Sequence, residues 1–419
     1  MNRCRHCDAP LSLKLIDLGT APPSNAYLSP EQLAAPELWY PLRVLVCERC
    51  WLVQTEDYAA RESLFTADYA YFSSTSASWL AHAKAYVGTM TQRFGLGGAD
   101  FAVEVAANDG YLLQYFKERA IPCLGVEPTA ATAEAARGRG LEIAEAFFGS
   151  ETAQRLRTSY PAASIMAANN VLAHVPDIND FVAGFAIMLK PDGVATFEFP
   201  HLLELMRGLQ FDTIYHEHYS YLSLTAVSTI FARSGLSIFD VERLPTHGGS
   251  LRVFAQRSAD GRRKVESAVD AVLRQEQTAG IATRAYYETL QPAAERIKDG
   301  LLAWLIEAKR DGLKVAAYGA AAKGNTLLNF AGVRADLVRY VVDRSPGKQG
   351  RYLPGSRIPI VSEDHLRADR PDRVLVLPWN LRTELEAQLA YVRDWGGQLV
   401  AAVPKLAVWG EGGRACAPS

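Results

Sequence analysis

The chain has 419 residues, 49% of them hydrophobic and 21% charged, a balance typical of a globular protein with two or three domains. Its 44 basic and 46 acidic residues leave a formal net charge of −2, so it lacks the basic excess expected of a nucleic-acid-binding protein. We find neither an apolar run of about 18 residues, as a transmembrane helix needs, nor an N-terminal secretory signal. We therefore expect a cytoplasmic protein with no nucleic-acid or membrane partner.

Four of the six cysteines occur as two Cys-x-x-Cys pairs near the N-terminus, Cys4 with Cys7 and Cys47 with Cys50. Four thiolates complete the tetrahedral shell of a zinc ion, whereas a redox Cys-x-x-Cys normally occurs once, on a βαβ unit. The spacing therefore predicts a structural zinc site that stabilises a small module and takes no part in chemistry. A strand is expected within this module at residues 42–46.

From about residue 100 onward, short apolar runs alternate with helical patterns. The predicted strands are residues 101–106, 123–126, 164–168 and 194–199, and the predicted helices are residues 111–120, 129–139 and 178–189. This alternation predicts a doubly wound α/β sheet. Residues 264–310 are mostly helical by pattern, with Ile297, Leu301 and Leu305 on one face and breaks at Gly280 and Pro292. A second α/β unit follows, with predicted strands at residues 314–318, 337–342 and 373–377.

Polar residues and a glycine follow the strands of the first α/β unit, where doubly wound sheets bind their ligands. Glu127 ends the second strand and could accept both hydroxyls of a ribose, and Phe148 could flank an adenine. The first turn lacks the Gly-x-Gly-x-x-Gly pattern, so S-adenosylmethionine (SAM), which has no phosphate, fits better than a nicotinamide dinucleotide. Alternatively, Glu104 and Glu127 are strand-end caps. The candidate cofactor-binding residues are Glu104, Asn108, Gly110, Glu127, Phe148 and Asn169.

Seven groups of residues carry a family resemblance. They are the four paired cysteines and residues 104–110 (EVAANDG), 125–128 (GVEP), 169–176 (NNVLAHVP), 211–218 (FDTIYHEH), 246–249 (THGG) and 318–324 (YGAAAKG). In this order they resemble the sugar C-methyltransferases that make branched deoxysugars. The resemblance covers nearly the whole chain, and its most specific part is Tyr-His-Glu-His. One departure is Ala106, because the family usually has a glycine there.

The resemblance implies both an architecture and an activity. The architecture is an N-terminal zinc-binding module (1–67), a central class I SAM-methyltransferase sheet (68–262), a helical connector (263–310) and a C-terminal Rossmann-like α/β domain for a nucleotide sugar (311–419). The activity is SAM-dependent methylation of the carbon next to the 4-keto group of an NDP-4-keto-deoxysugar, with C-3 expected, by a monomeric enzyme. The nucleotide base, the stereochemistry of the sugar and the choice between C-3 and C-5 stay open.

Methylation of such a carbon needs a base to remove a proton and a donor to stabilise the enolate. Histidine suits the base because its ordinary pKa lies near neutrality. The resemblance implies that His218 is this base and that Tyr215 and Glu217 orient it or bind the sugar. We expect the neighbouring His216 to be structural.

Two more positions near this chemistry follow from the resemblance. His174, just after the fourth strand, would lie near the reacting centre and help the 4-keto oxygen. Alternatively, His174 is a buried histidine that caps its loop. Tyr69 or Tyr71 would be the tyrosine that closes over the site.

The second α/β unit offers a loop between a strand and a helix, residues 319–325. Backbone N–H groups at a helix N-terminus together with Lys323 suit a diphosphate. Other polar residues end the strands of the same sheet and could hold the nucleotide, although an inert Rossmann-like scaffold is the alternative. The candidate substrate-binding residues are Lys323, Asn325, Asp343, Lys348, Trp379 and Asn380.

Other functions remain open at this level. An O-methyltransferase acting on a sugar or another secondary metabolite needs no enolate, and a hydroxyl-bearing substrate would distinguish it. A zinc-ribbon nucleic-acid-binding protein would need a basic surface, which the net charge of −2 disfavours. An NAD-dependent epimerase or reductase would want a Tyr-x-x-x-Lys pair, which residues 318–322 do not provide.

Overall fold

The computed structural model describes residues 2–58 and 72–410, which form three β-sheets. The first sheet is antiparallel with the strand order β1-β2-β3-β9. Its strands are β1 (Leu13–Ala21), β2 (Tyr40–Val46), β3 (Val53–Thr55) and β9 (Ser220–Tyr221). β2 contains the predicted strand at residues 42–46. Because β9 comes from the middle of the chain, the N-terminal segment and the centre of the protein share one sheet.

The second, central sheet has the strand order β6-β5-β4-β7-β8-β11-β10. Its first five strands in this order pair in parallel, and β11 and β10 add an antiparallel edge. This order confirms the predicted doubly wound sheet. The strands are β4 (Ala102–Val105), β5 (Cys123–Val126), β6 (Ile143–Ala144), β7 (Ala163–Asn169), β8 (Leu189–Pro200), β10 (Leu236–Leu244) and β11 (Ser250–Arg257).

Both faces of the central sheet are buried, as expected of parallel strands. Along β7, Met166 and Ala168 belong to one hydrophobic cluster, whereas Ile165 and Ala167 belong to another. The helices of this part are α1 (Ala77–Phe94), α2 (Leu113–Lys117), α3 (Ala130–Gly138), α4 (Ser150–Arg157), α5 (Ile178–Met188), α6 (Leu202–Arg207) and α7 (Leu224–Arg233). The helix predicted at residues 111–120 is shorter than expected, because α2 has only five residues.

The order of the strands creates a switch point between β4 and β7. From β4 the chain proceeds to β5 and β6 on one side, and it then returns to β7 and β8 on the other side. Adjacent connections therefore leave in opposite directions, which opens a crevice at the carboxyl ends of β4 and β7. This crevice is the place where a doubly wound sheet binds its ligand.

Three helices connect the central sheet to the third sheet, namely α8 (Ser267–Ala279), α9 (Arg284–Tyr287) and α10 (Leu290–Arg310). Ile297, Leu301 and Leu305 are buried on α10, as the pattern predicted. Gly280 ends α8 with a φ of 90°, a conformation that favours glycine. The predicted break at Pro292 is wrong, because this proline lies in the first turn of α10, where no backbone N–H is needed.

The third sheet has the strand order β14-β13-β12-β15-β16-β17, parallel except for β17. Its strands are β12 (Val315–Tyr318), β13 (Val341–Val342), β14 (Ile360–Val361), β15 (Arg373–Val376), β16 (Gln398–Ala401) and β17 (Ala407–Val408). Its helices are α11 (Ala322–Phe330), α12 (Glu363–Asp369) and α13 (Arg382–Gln388). The strand predicted at residues 337–342 shrinks to two residues, since only these pair with β12 and β14.

No helix within residues 2–58 and 72–410 has the length and apolar character that a membrane crossing requires.

Candidate functional site

The four paired cysteines form one cluster in the N-terminal module (residues 2–58). Their Sγ atoms all lie within 4.8 Å of one another, with 3.5 Å between Cys4 and Cys50 and 3.4 Å between Cys7 and Cys47. Tetrahedral Zn–S bonds of about 2.3 Å place sulfur atoms about 3.8 Å apart, so the cluster fits zinc after a small expansion. Gln54 Nε2 donates a hydrogen bond to Cys4 Sγ at 3.3 Å, a contact that would stabilise the thiolate ligand.

Both cysteine pairs lie on backbone turns of the same geometry. The N–H of Asp8 donates to the carbonyl of Cys4 at 2.9 Å, and the N–H of Trp51 donates to the carbonyl of Cys47 at 2.8 Å. Asp8 and Trp51 have φ angles of 61° and 60°, which are uncommon for residues other than glycine. Equal conformations at matching positions support a single metal ion held by both turns.

The turn after β4 has an unusual backbone. Ala106, Asn108 and Gly110 have φ angles of 59°, 48° and 79°. Ala106 therefore carries strain that the glycine usual in the family would avoid. At Gly110 a Cβ atom would lie 2.2 Å from Leu141 Cδ1, so the packing also requires glycine there. This strained turn lies where the sheet is expected to bind its ligand.

Glu127 joins the loops that follow β4 and β5. Its carboxylate accepts hydrogen bonds from the backbone N–H groups of Asn108 and Thr129, each at 2.9 Å. Each carboxylate oxygen has a second lone pair, which leaves an acceptor for a ligand hydroxyl. The two roles considered for Glu127, a cap and a ribose acceptor, are therefore compatible.

Several buried polar atoms at the switch point form no hydrogen bond of good geometry among the described residues, although the hydroxyl of Tyr111 lies near Glu104 and Asn169. They are both carboxylate oxygens of Glu104, both amide atoms of Asn169 and Oδ1 of Asp109. Buried polar atoms in native proteins nearly always have partners. Burial also raises the pKa of Glu104 well above its ordinary value. A ligand with polar groups and a cationic amino-acid tail would satisfy these atoms, so the residues present fit SAM.

Phe148 packs in the hydrophobic core of the central sheet. Its ring packs edge-on against Phe181 and Phe185 of α5, with centroid distances of 5.7 and 5.1 Å. The side chain is buried in this core. Its expected contact with an adenine stays a prediction.

His218 lies between the rings of Tyr215 and His174, whose centroids are 3.9 and 4.6 Å from its own. Its Nδ1 lies 2.8 Å from the carbonyl oxygen of Thr213, which only accepts, so Nδ1 carries the proton. Burial lowers the pKa of His218 well below its ordinary value, and His174 lowers it further. The ring is therefore neutral near pH 7, and Nε2 holds the lone pair that a base needs.

His174 has the same tautomer, because its Nδ1 lies 2.8 Å from the carbonyl oxygen of Glu217. Burial lowers the pKa of His174 to about 4, so it is neutral and offers an acceptor at Nε2. A ketone oxygen needs a donor, which a neutral His174 with this tautomer does not supply through Nε2, so the expected help from His174 stays a prediction. A tyrosine hydroxyl could serve as a donor instead, and the predicted closing residues Tyr69 and Tyr71 lie outside the described residues.

Glu217 and His216 face the N-terminal module. The Glu217 carboxylate accepts hydrogen bonds from Asn25 Nδ2 at 2.9 Å on Oε1 and 2.7 Å on Oε2. Burial raises the pKa of Glu217 to about 7, and the hydrogen bonds from Asn25 oppose this shift. His216 Nε2 lies 3.2 Å from the carbonyl oxygen of Pro41, and its ring packs edge-on against Tyr40. His216 thus contacts the module, in keeping with a structural role.

Three predicted substrate-binding residues meet beside His218. Lys323 Nζ lies 3.1 Å from Asn380 Oδ1 and 4.8 Å from the ring centroid of Trp379. Trp379 Nε1 in turn donates to Asp212 at 2.6 Å. Burial lowers the pKa of Lys323 and raises that of Asp212 to about 6, and each charge opposes the shift of the other. On the same helix as Lys323, Thr326 donates to the carbonyl of Ile214 at 2.7 Å, and His218 Nδ1 lies 2.8 Å from the carbonyl oxygen of the adjacent Thr213, so Lys323 and His218 belong to neighbouring segments.

The other three predicted substrate-binding residues surround the loop after β12. Asp343 accepts from the N–H of Ala320 at 2.9 Å, and Lys348 donates to the carbonyl of Ala320 at 2.8 Å. Asn325 is only 1% exposed, and its Nδ2 donates to the carbonyl of Ser24 at 2.6 Å. Asn325 thus contacts the N-terminal module through its amide nitrogen, and its expected contact with substrate stays a prediction. A nucleotide contact by Asp343 or Lys348 stays a prediction.

Several residues near the Tyr-His-Glu-His segment had no role predicted from the sequence. His247 has a φ of 55°, and its Nε2 lies 3.2 Å from Asn170 Nδ2. Burial lowers the pKa of His247 to about 4, and Lys323 lowers it further. His247 lies within the THGG segment, which signalled its importance, whereas Asn25 and Asp212 gave no signal because their partners are distant in sequence.

Loss of the metal should destabilise the N-terminal module more than it slows the surviving enzyme. We expect about one zinc ion per chain in freshly purified protein and a lower melting temperature after chelation, because metal binding is coupled to folding. Cys50→Ser should lower the free energy of unfolding by at least about 2 kcal/mol. Cys123→Ser, outside the cluster, is the control and should retain the metal. Zinc-free protein that melts normally would contradict this site.

SAM should bind at the crevice of the central sheet through Glu127. Glu127→Ala removes a charged hydrogen-bond acceptor and should weaken SAM binding by about 1.5–3 kcal/mol, roughly 10- to 150-fold in Kd. Titration calorimetry measures this loss, and a thermal melt checks that the two loops joined by Glu127 stay folded. Glu134→Ala, on the exposed side of α3, is the control. Unchanged SAM affinity in Glu127→Ala would show that Glu127 does not bind SAM and would contradict this assignment of the site.

Comparison with known proteins identifies the family. Family models match three parts of the chain: a zinc binding domain at residues 4–65, a methyltransferase domain at 93–241 and a C-methyltransferase C-terminal domain at 245–404. Magnesium protoporphyrin IX methyltransferase from Synechocystis PCC 6803 with bound SAM is 14% identical, with a TM-score of 0.33, over 43% of this chain and 79% of that one. A SAM-dependent methyltransferase from Clostridium acetobutylicum ATCC 824 is 11% identical, with a TM-score of 0.34, over 42% and 90%.

The chain is also similar over nearly its whole length to C-methyltransferase NovU from Streptomyces niveus. The two sequences are 34% identical over 405 residues, which are 97% of this chain and 96% of NovU. The match thus includes the zinc-binding, methyltransferase and C-terminal parts together. The chain belongs to the C-methyltransferase family and is a SAM-dependent C-methyltransferase.

Proposed function

We propose that this enzyme methylates the carbon next to the 4-keto group of an NDP-4-keto-deoxysugar, with C-3 as the expected position, through an enolate. The observation that carries the proposal is His218, whose Nδ1 is committed to the carbonyl of Thr213, so that Nε2 holds a lone pair, and whose ring packs against those of Tyr215 and His174. An enolate needs a base for the C–H bond and a positive group or donor for the oxygen. The family of the chain supports carbon as the atom that accepts the methyl group.

In this mechanism His218 takes the proton through Nε2 while its Nδ1–H keeps the hydrogen bond to Thr213. The negative charge develops on the ketone oxygen, where Lys323 and a tyrosine hydroxyl would stabilise it. Glu217, held by Asn25, keeps lone pairs for the hydroxyl groups of the sugar. When bound at the switch point, SAM supplies the electrophilic methyl group.

The third sheet would hold the nucleotide. Its β12 and β13 are followed by the Gly319 loop and by Asp343, the positions at which a Rossmann-type sheet takes phosphate and ribose. Trp379 and Asn380 follow β15 at the same edge. The position of Lys323 beside His218 favours the sugar end of the substrate over the diphosphate for this side chain. The domain boundaries, a monomeric state and a cytoplasmic location stay predictions.

Mass spectrometry tests this function directly. The enzyme is incubated with SAM and a panel of NDP-4-keto-deoxysugars that differ in base and stereochemistry. At least one should gain a single methyl group on carbon, and the fragments locate it at C-3 or C-5. Methylation of a hydroxyl group instead would establish the O-methyltransferase alternative.

His218 should be essential to the proton transfer step, so His218→Asn should lower turnover by roughly 10²–10⁴. SAM should still bind, because His218 is not among the residues proposed to hold it. In D₂O with an unreactive SAM analogue, exchange of the substrate α-proton should also disappear. His216→Asn is the control, and it should keep much of the activity. Near-normal turnover in His218→Asn would make His174 the first alternative base.

Lys323 should act on the reacting sugar rather than on SAM. Lys323→Met removes the positive charge beside the developing enolate, and we expect kcat to fall about 10²–10³-fold with SAM affinity unchanged. Steady-state kinetics separates the two possible roles of this lysine. A rise in KM at constant kcat would assign Lys323 to the diphosphate instead. Equal loss of SAM and sugar binding would indicate a folding defect.

A further inference from the structure

The side-chain amide of Asn25, in the N-terminal module, contacts the carboxylate of Glu217 in the Tyr-His-Glu-His segment. Asn25 Nδ2 lies 2.9 Å from Oε1 and 2.7 Å from Oε2 of Glu217, although 192 residues separate the two in sequence. A carboxylate only accepts hydrogen bonds, so the amide must turn its NH₂ group toward Glu217. Asn25 thus donates to both oxygens of one buried side chain.

Glu217 has a strong need for such a donor. Its side chain is 2% exposed, and burial opposes the charged form of the carboxyl group. Within residues 2–58 and 72–410, no lysine or arginine forms an ion pair with Glu217, and both hydrogen bonds of its carboxylate come from Asn25. Donors to the charged form lower the pKa of a carboxyl group, so Asn25 opposes the effect of burial.

The segment around Asn25 is anchored firmly on its other side. The carbonyl of Ser24 accepts from Asn325 Nδ2 at 2.6 Å, and the hydroxyl of Tyr27 donates to the carbonyl of Ala320 at 2.6 Å. Leu28 then pairs with Tyr352 through two backbone hydrogen bonds of 3.0 and 2.9 Å. The third sheet therefore fixes the position from which the amide reaches Glu217.

We propose that Asn25 is a positioning residue that holds Glu217 as an oriented carboxylate, so that the N-terminal module contributes directly to substrate binding. This inference rests on the proposed function, in which Glu217 binds hydroxyl groups of the sugar. With one lone pair of each oxygen directed at the amide, the remaining lone pairs can accept from the substrate. A protonated Glu217 would lose part of that acceptor capacity.

Other titratable groups lie near Glu217, and each must be considered in a pH profile. Tyr27 of the module is close to Glu217, and Tyr27 in turn is close to Lys348 and Asp343 of the third sheet. His174 bonds to the backbone carbonyl of Glu217 rather than to its carboxylate. On its own segment His218 turns Nδ1 to Thr213, and His216 contacts Pro41. Asn25 is thus the group whose replacement should act on Glu217 most specifically.

The first test is the pH dependence of kcat/KM for the NDP-4-keto-deoxysugar that the full-length enzyme accepts. Asn25→Ala removes donors to the charged form, which raises the pKa of Glu217, so the acid limb should move up by about one pH unit or more. Asn25→Asp has nearly the same shape and adds a like charge, so its shift should be larger. In both variants the lost activity should return as the pH is raised, which a damaged fold would not allow.

Thr55→Val is the matched control. Thr55 Oγ1 also reaches the same segment from the module, but it donates to the backbone carbonyl of His218 at 3.1 Å. Its replacement should leave the midpoint of the acid limb in place, whatever happens to the rate. A second control is Glu217→Gln, in which the addition of Asn25→Ala should cause no further pH shift.

A direct titration separates this inference from the proposed function. Carboxyl ¹³C NMR of glutamate-labelled enzyme, assigned with Glu217→Gln, measures the pKa of Glu217 without any turnover. An unchanged pKa in Asn25→Ala and Asn25→Asp would overturn the role of Asn25. A raised pKa with an unchanged activity profile would instead refute the proposed role of Glu217 in binding the sugar. A raised pKa together with a shifted acid limb supports both.

Discussion

The pairing of β3 with β9 is the contact on which the arrangement of the site depends. It consists of only two residue pairs, Val53 with Tyr221 and Gln54 with Ser220. Gln54 also donates to the sulfur of Cys4 and accepts from the N–H of Arg5, so one buried side chain joins the metal cluster to the strand that follows His218. A shift of one residue in this register would reverse the side chains of β9 and displace the segment before it.

Three histidines and a lysine lie in one buried region around His218. They can do so because the histidines are neutral, which avoids repulsion between positive charges. Burial lowers the pKa of His174, His218 and His247, and the neighbouring basic groups, Lys323 among them, lower the pKa of His218 and His247 further. Burial lowers the pKa of Lys323 as well, but the Asp212 carboxylate opposes this effect and so favours the charged lysine. Backbone carbonyls set the tautomers of two of these histidines, so the loops as well as the charges determine where a proton can go.

The sequence predicted features that depend on local patterns, and it did not predict contacts between residues that are far apart in the chain. The four cysteines carry their chemistry in their spacing, and the parallel strands of the central sheet are continuous apolar runs, so both were predictable. The core contacts of Phe148 were not predictable, because an aromatic residue after a strand gives no sign of whether it faces a ligand or the core. The contact of Asn325 was not predictable either, because its partner, the carbonyl of Ser24, lies 301 residues away. The two-residue β9 carries no periodicity at all.

The contacts of the N-terminal module give the metal an indirect role in the arrangement of the site. The sequence indicated a zinc ion that stabilises a module and takes no part in chemistry, and the cysteine cluster does lie apart from His218. Yet the module supplies β3, Thr55 and Asn25, which hold the backbone and the carboxylate of the Tyr-His-Glu-His segment. The described part of the module, residues 2–58, is small for an independent core, so metal binding is expected to supply part of its stability. Any loosening of the metal cluster would therefore be transmitted to the segment that carries His218, the proposed base.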